Sequence, residues 1–169
     1  LIMAHSDDDG LVCPPRVAPQ HIVIIPVTPK PEMRDAVLDH CRKLAEEWRQ
    51  IHWHGCPVRV HVDTRDISGG TKKWDWIKKG VPVRLEIGPR DMEKGTVAVQ
   101  RRDQSDKNFI PEADVKEQVT DMLQSIQDNL LEKATAFRDA HIREVSTLGE
   151  LISNFSDNGD ADWLLVPWD

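Results

Sequence analysis

The chain lacks most of the patterns that mark an enzyme's working centre. Across its 169 residues no apolar run approaches the roughly 18 needed to cross a bilayer. The opening LIMAHSDDDG has neither the basic start nor the apolar stretch of a secretion signal, so a cytoplasmic protein is expected. Cysteine is scarce. Cys13, Cys41 and Cys56 are odd in number, unevenly spaced and form no CxxC pair, which gives no basis for a disulfide framework or a zinc knuckle. All three are expected as reduced thiols, Cys41 in the core. Neither GxGxxG nor GxxxxGK[ST] follows the first strand-like run, so a dinucleotide or P-loop site has no support. Gly69-Gly70-Thr71-Lys72 reads as a loop hinge. His52 and His54, near Cys56, lack the full ligand set that zinc requires. No Ser or Cys stands in a GxSxG-type turn and no carboxylate pair has an acid–base setting, which leaves catalysis without support. Positive charge is also short, with a formal net charge of −7.

What is present is ordinary for one folded domain: 39% hydrophobic and 30% charged residues. Residues 1–20 hold an acidic run and Pro14, Pro15 and Pro19, a composition that fits an extended connector. His21 to Val27 is almost continuously apolar and β-branched, the pattern of a strand buried on both faces. Met33, Val37, Cys41, Leu44, Trp48 and Ile51 recur at helical spacing, and Val58, Val60 and Val62 alternate as a second strand, giving a βαβ unit. After an expected loop at Asp66 to Thr71, WDWIKKG reads as a short helix stopped by Gly80. A third strand places Val81, Val83, Leu85 and Ile87 inward with Arg84 and Glu86 outward. A fourth follows at Thr96 to Gln100. From about Pro111 to His141 the apolar positions trace one long helix. Residues 142–169 read as a strand, a short helix at Leu148 to Phe155, an acidic loop and a last strand from Trp163 to Trp168.

The charge is unevenly spread. Arg59 to Arg102 carries 11 basic against 6 acidic residues, a local +5 that leaves −12 for the rest. Two readings fit: solvated surface charge, or a phosphate-facing surface on an acidic protein. Arg65, Trp74, Trp76, Lys78, Lys79, Arg84 and Arg90 combine cations with indoles, the mix that binds splayed single-stranded bases by neutralisation and stacking. Trp74 and Trp76 are read equally as core residues. The chain begins without Met, which is expected of an excised fragment.

Several segments resemble a known family. GLVCPPRVAPQHIVIIPV is similar to the junction and first strand of class II synthetase anticodon domains. VRVHVDTRD, WDWIKKGVPVRLEIGPRDMEKG and VAVQRRD resemble the prolyl-tRNA synthetases, and NLLEKATAFRDAHI their archaeal and eukaryote-like subgroup. The resemblance implies a three-layer α/β/α anticodon-binding domain with a mixed sheet of about five strands, a long helix and a truncated C-terminal α+β segment. It divides the chain into 1–20, connector and tail of the catalytic core; 21–110, anticodon-binding domain; and 111–169, long helix and start of a C-terminal domain. It implies tRNA for proline as partner and guanine recognition by Arg65, Asp66, Trp76, Lys79, Arg84, Glu86 and Arg90. It assigns no catalytic residue, metal or cofactor to this fragment. ATP and Mg belong to the intact enzyme, a homodimer joined to its own catalytic domain, with zinc in the missing C-terminal part. The family pattern Trp-Glu-Leu-Lys is Trp76-Ile77-Lys78-Lys79 here, and the preceding loop is one residue shorter, so a differently shaped loop is expected. Alternatives are a stand-alone α/β protein-interaction or regulatory domain without salt-dependent RNA binding, and the anticodon domain of another class II synthetase such as threonyl or histidyl.

Overall fold

Asp7 turns the start of the chain back on itself. Its Oδ1 accepts the backbone N–H groups of Asp9 and Gly10 at 3.0 and 3.1 Å, closing a short hairpin of β1 (Ser6–Asp7) and β2 (Gly10–Leu11) where an open connector was expected. The computed structural model describes residues 2–156 and 162–167. The chain divides into two compact units, Leu1–Leu130 and Leu131–Asp169.

Strand β3 (Ile22–Pro26) is buried at every residue, as its unbroken apolar run requires. After a 3-10 turn at Pro31–Met33, helix α1 (Arg34–Trp48) returns the chain antiparallel to β3. A hairpin not foreseen in the sequence follows, β4 (His52–Trp53) with β5 (Cys56–Pro57). Its two turn residues, His54 and Gly55, both have positive φ, 48° and 75°, the backbone that a tight two-residue hairpin needs. The turn drives Trp53 into the core. Strand β6 (Val60–Val62) then pairs parallel with β3 and completes the expected βαβ unit.

Helix α2 (Gly69–Lys78) starts earlier than the sequence indicates. Ser68 Oγ caps it by accepting the Thr71 N–H at 3.1 Å, so Gly69-Gly70-Thr71 form its first turn and not a loop hinge. Strand β7 (Val83–Ile87), helix α3 (Pro89–Lys94), strand β8 (Thr96–Arg101), strand β9 (Lys107–Pro111) and helix α4 (Glu112–Ala140) follow. The sheet order is β6-β3-β7-β8-β9, parallel across the first three strands and antiparallel across the last two.

Pleating splits the sheet side chains into two sets. Ile22, Ile24, Val83, Leu85, Ile87, Val97 and Val99 form one core with Val37, Cys41 and Trp48 of α1 and Val115, Val119, Leu123 and Ile126 of α4. On the opposite face Val23 and Ile25 pack with Trp76 of α2 and with Val81. Helices therefore cover both faces, which makes three layers. Arg84 sits on the second face and is 4% exposed, so the outward placement expected for it is corrected: alternation puts it off the main core but not into water.

Gly80, at φ +69°, lets the end of α2 meet the N-terminal segment. A Cβ there would lie 2.4 Å from the Leu11 carbonyl oxygen, and Cys13 N–H donates to the Gly80 carbonyl at 3.1 Å. Arg102 locks the same junction, donating to the carbonyls of Leu11 and Ile77 and to both oxygens of Asp7.

His21 closes the other end of β3. It is 1% exposed, and its Nδ1 accepts the Arg59 N–H at 3.1 Å. Burial, reinforced by the Arg59 guanidinium, pulls its pKa down to about 4. Below the unfolded value of about 6.5 the unfolded chain takes up a proton that the folded chain refuses, so stability falls with pH between about 6.5 and 4. The expected loss from pH 7 to pH 5 is about 2 kcal/mol in urea unfolding, with a flatter dependence in His21→Gln.

In the second unit, parallel strands β10 (Ile142–Glu144) and β11 (Trp163–Leu165) are joined through helix α5 (Leu148–Ser156). Thr147 and Glu150 form a capping box at its start, Thr147 Oγ1 accepting the Glu150 N–H while the Glu150 carboxylate accepts the Thr147 N–H. The acidic loop and the Trp168 end of the last strand expected from the sequence lie outside the described residues. Among the described residues no helix is long and apolar enough to cross a membrane.

Candidate functional site

Asp63, one residue past β6, organises the basic segment. It is 1% exposed, and its carboxylate accepts the Arg65 Nε and Nη2 at 2.9 and 2.7 Å and the Trp76 indole N–H at 2.8 Å. Burial alone would raise its pKa, but the bonds from Arg65 and Trp76 outweigh it and hold the carboxyl well below the usual range. Arg65 also donates to Asp75 at 2.8 Å, bridging the loop to α2. Buried Lys72 donates to the Asp63 carbonyl at 3.1 Å. Lys79 Nζ stands 4.3 Å from the centre of the Trp76 ring, and the His61 and Trp76 ring centroids are 5.1 Å apart. Trp76 is thus a packed residue with a polar anchor, while Trp74 is 47% exposed.

Arg84 and Gln100 face one another across β7 and β8 in register. Among the described residues neither Arg84 Nη1 nor Gln100 Oε1 has a hydrogen-bond partner, although both atoms are buried. Gln100 Nε2 donates to the Ser105 carbonyl at 3.1 Å, which turns Oε1 away as the free acceptor. Burial and then the charge of Arg102 bring the Arg84 pKa down to about 10, so it stays cationic at neutral pH. Both residues line a cavity of about 350 Å³ with Ile77 and with Asp7, Asp9, Arg101, Arg102 and Asp103. Arg101 pairs with Asp103 at 2.7 Å and Arg102 with Asp7. Three guanidiniums against three carboxylates leave the cavity balanced in charge, with one donor and one acceptor unspent.

Glu86 lies on the same face as Arg84 and accepts from Lys107 Nζ at 2.6 Å. Arg90 is exposed at the start of α3 and lines a separate cleft of about 600 Å³ with Pro29, Lys30 and Met33. That cleft lies beyond the carboxyl ends of β3 and β7, adjacent parallel strands whose onward connections diverge, the place where open α/β sheets bind ligands. Asp66 is 91% exposed, with Arg34 at 3.9 Å. The seven residues named from the sequence therefore fall into a group around Asp63 (Arg65, Trp76, Lys79), a pair on β7 (Arg84, Glu86), and two separate positions, Arg90 and Asp66. Asp63, Gln100 and Lys107 were not singled out. Asp63 matters through partners on the following loop and on α2, Gln100 and Lys107 through partners on other strands, none of which residue type alone reveals.

His52 Nδ1 lies 3.0 Å from the Gln50 carbonyl and His54 Nε2 3.0 Å from Gln124. Among the described residues no three His, Cys, Asp or Glu side chains gather as a metal site requires.

A five-stranded mixed sheet between helices, with cationic, indole-bearing and polar sites on one face, defines a class. Residues 21–122 match the family described as "Anticodon binding domain", and the chain belongs to that family. It is 67% identical to the proline–tRNA ligase of Akkermansia muciniphila over the whole chain, which covers 34% of that protein. It is also 52% identical to proline–tRNA ligase 2 of Anaeromyxobacter dehalogenans, over 92% of the chain and 31% of the relative, and 44% identical to the proline–tRNA ligase of Bdellovibrio bacteriovorus, over 99% and 34%. The chain spans about a third of the length of these curated relatives.

Proposed function

We propose that this chain is the part of a proline–tRNA ligase that grips the anticodon loop of proline tRNA. The observation that carries the reading is the Arg84–Gln100 cavity. Because its charges cancel, it suits a neutral polar ring better than a phosphate. Its free guanidinium N–H can donate to guanine O6 or N7, and its free amide oxygen can accept from guanine N1–H or N2–H. Arg65 and Lys79, fixed by Asp63, Asp75 and Trp76, flank this face as phosphate or base contacts. Glu86, Asp66 and Arg90 complete the proposed set, Arg90 from the cleft beyond β3 and β7. Residues 21–110 supply the reading surface, 1–20 the connector to a catalytic domain, and 111–169 the long helix and the start of a further domain.

The intact enzyme, in this reading, joins proline to its tRNA with ATP and Mg and works as a cytoplasmic homodimer. No residue of this chain is assigned to that chemistry. The test is titration of a proline anticodon stem-loop against one with its anticodon guanines replaced, at two salt concentrations. Preference for the guanine loop is expected. Lys79→Ala and Arg90→Ala should each lower affinity for both loops and reduce the log–log salt slope by about 0.7 per lost phosphate contact. Equal binding of both loops would refute anticodon recognition.

A further inference from the structure

Helix α2 covers only part of its face of the sheet. Its packing partners, Val23 and Ile25, lie on β3. Farther along the same face, register places Glu86, Ala98 and Phe109 in one row across β7, β8 and β9, and Arg84, Gln100 and Lys107 in the next. Phe109 is 66% exposed, while its neighbour Ile110 packs into the opposite core. The fold does not need this ring for its interior. Ala98, directly opposite, offers only a methyl group and leaves the ring uncrowded. Lys107 Nζ lies 5.9 Å from the ring centroid and is held there by Glu86 at 2.6 Å. An open aromatic, a pinned ammonium and, one row away, an unspent donor–acceptor pair form a continuous surface of base-binding chemistry.

From this placement we infer that Phe109 is a stacking platform for a second unpaired nucleobase of the RNA loop, beside the base received by Arg84 and Gln100. The inference rests on the anticodon reading and adds to it a residue, a mode of contact and a second base. Lys107 stands at the rim, where the adjoining phosphate passes. Stacking is indifferent to base identity, so Phe109 contributes affinity while the Arg84–Gln100 cavity supplies discrimination.

The experiment titrates the chain and its Phe109→Ala, Phe109→Leu and Phe109→Trp variants with the proline anticodon stem-loop, with urea unfolding and light scattering alongside. Phe109→Ala and Phe109→Leu are expected to weaken binding about 5- to 100-fold, with the salt slope and unfolding midpoint unchanged and Phe109→Trp binding at least as well as the parent. Parent-like binding by Phe109→Ala would overturn the platform while leaving anticodon recognition standing. Parent-like binding by Phe109→Leu would show an apolar contact in place of stacking and also overturn it. A change from dimer to monomer in Phe109→Ala would assign the patch to a second copy of the chain. Failure of the parent to prefer the guanine loop would remove both the reading and the inference.

Discussion

Arg84→Met is expected to weaken binding of the guanine-bearing loop by about 10- to 150-fold while leaving folding stability unchanged or raising it by about 1 kcal/mol. The two effects have opposite signs for one reason. Arg84 is almost wholly enclosed, its Nη1 has no partner among the described residues, and its depressed pKa records the cost of holding a charge there. A methionine of similar length removes that cost. A residue kept for structure would show the reverse, with stability lost and binding following it. Fluorescence titration with the stem-loop and urea unfolding of the same preparation separate the two. Weak binding with normal stability is the result expected; normal binding would remove the cavity from the recognition surface.

Asp63→Ala carries the largest expected effect on stability, a loss of about 3 kcal/mol, or roughly 10 °C in Tm for a chain of this size. The substitution leaves the Trp76 indole N–H without its acceptor inside the protein and removes the group that orients Arg65. Arg65 keeps Asp75 and lies partly in water, which holds the loss below that of a fully enclosed pair. Asp63→Asn retains one acceptor oxygen and is expected to cost about half as much. The pH dependence has a fixed sign. The folded carboxyl is held below its unfolded pKa of about 3.9, so its contribution is fully present above that value and is lost as pH falls below it. Thermal unfolding of the parent and Asp63→Asn at pH 7 and pH 3 should therefore converge at the lower pH.

How far the fold could be read in advance depended on how local its causes are. The strand at Ile22–Pro26 has no polar residue, and α4 repeats its apolar positions in steps of three and four; each pattern has one physical explanation. Strand β9 escaped notice because Lys107–Pro111 is largely exposed, with Ile110 its contribution to the core, so it shows no clear alternation. The hairpin at His52–Pro57 was hidden because His54 takes a left-handed backbone for which histidine gives little signal. Arg84 was misplaced since alternation separates the two faces of a strand without saying whether the second face is wet. Of the candidate site, the cationic and indole character was legible between Arg65 and Arg90. Its wiring was not: Asp63 acts through residues on a loop and a helix, and Gln100 matters only because β8 runs beside β7.

The hairpin at residues 6–11 gives the cavity a dependence that its own strands do not. Asp7 and Asp9 supply two of the three carboxylates that neutralise it, and Asp7 is held there by Arg102. Lifting the hairpin would bare Arg102 beside Arg84 and turn a charge-balanced slot into a cationic one. Residues 6–11 thus set the sign of the charge at the slot, and whatever displaces them changes what it attracts.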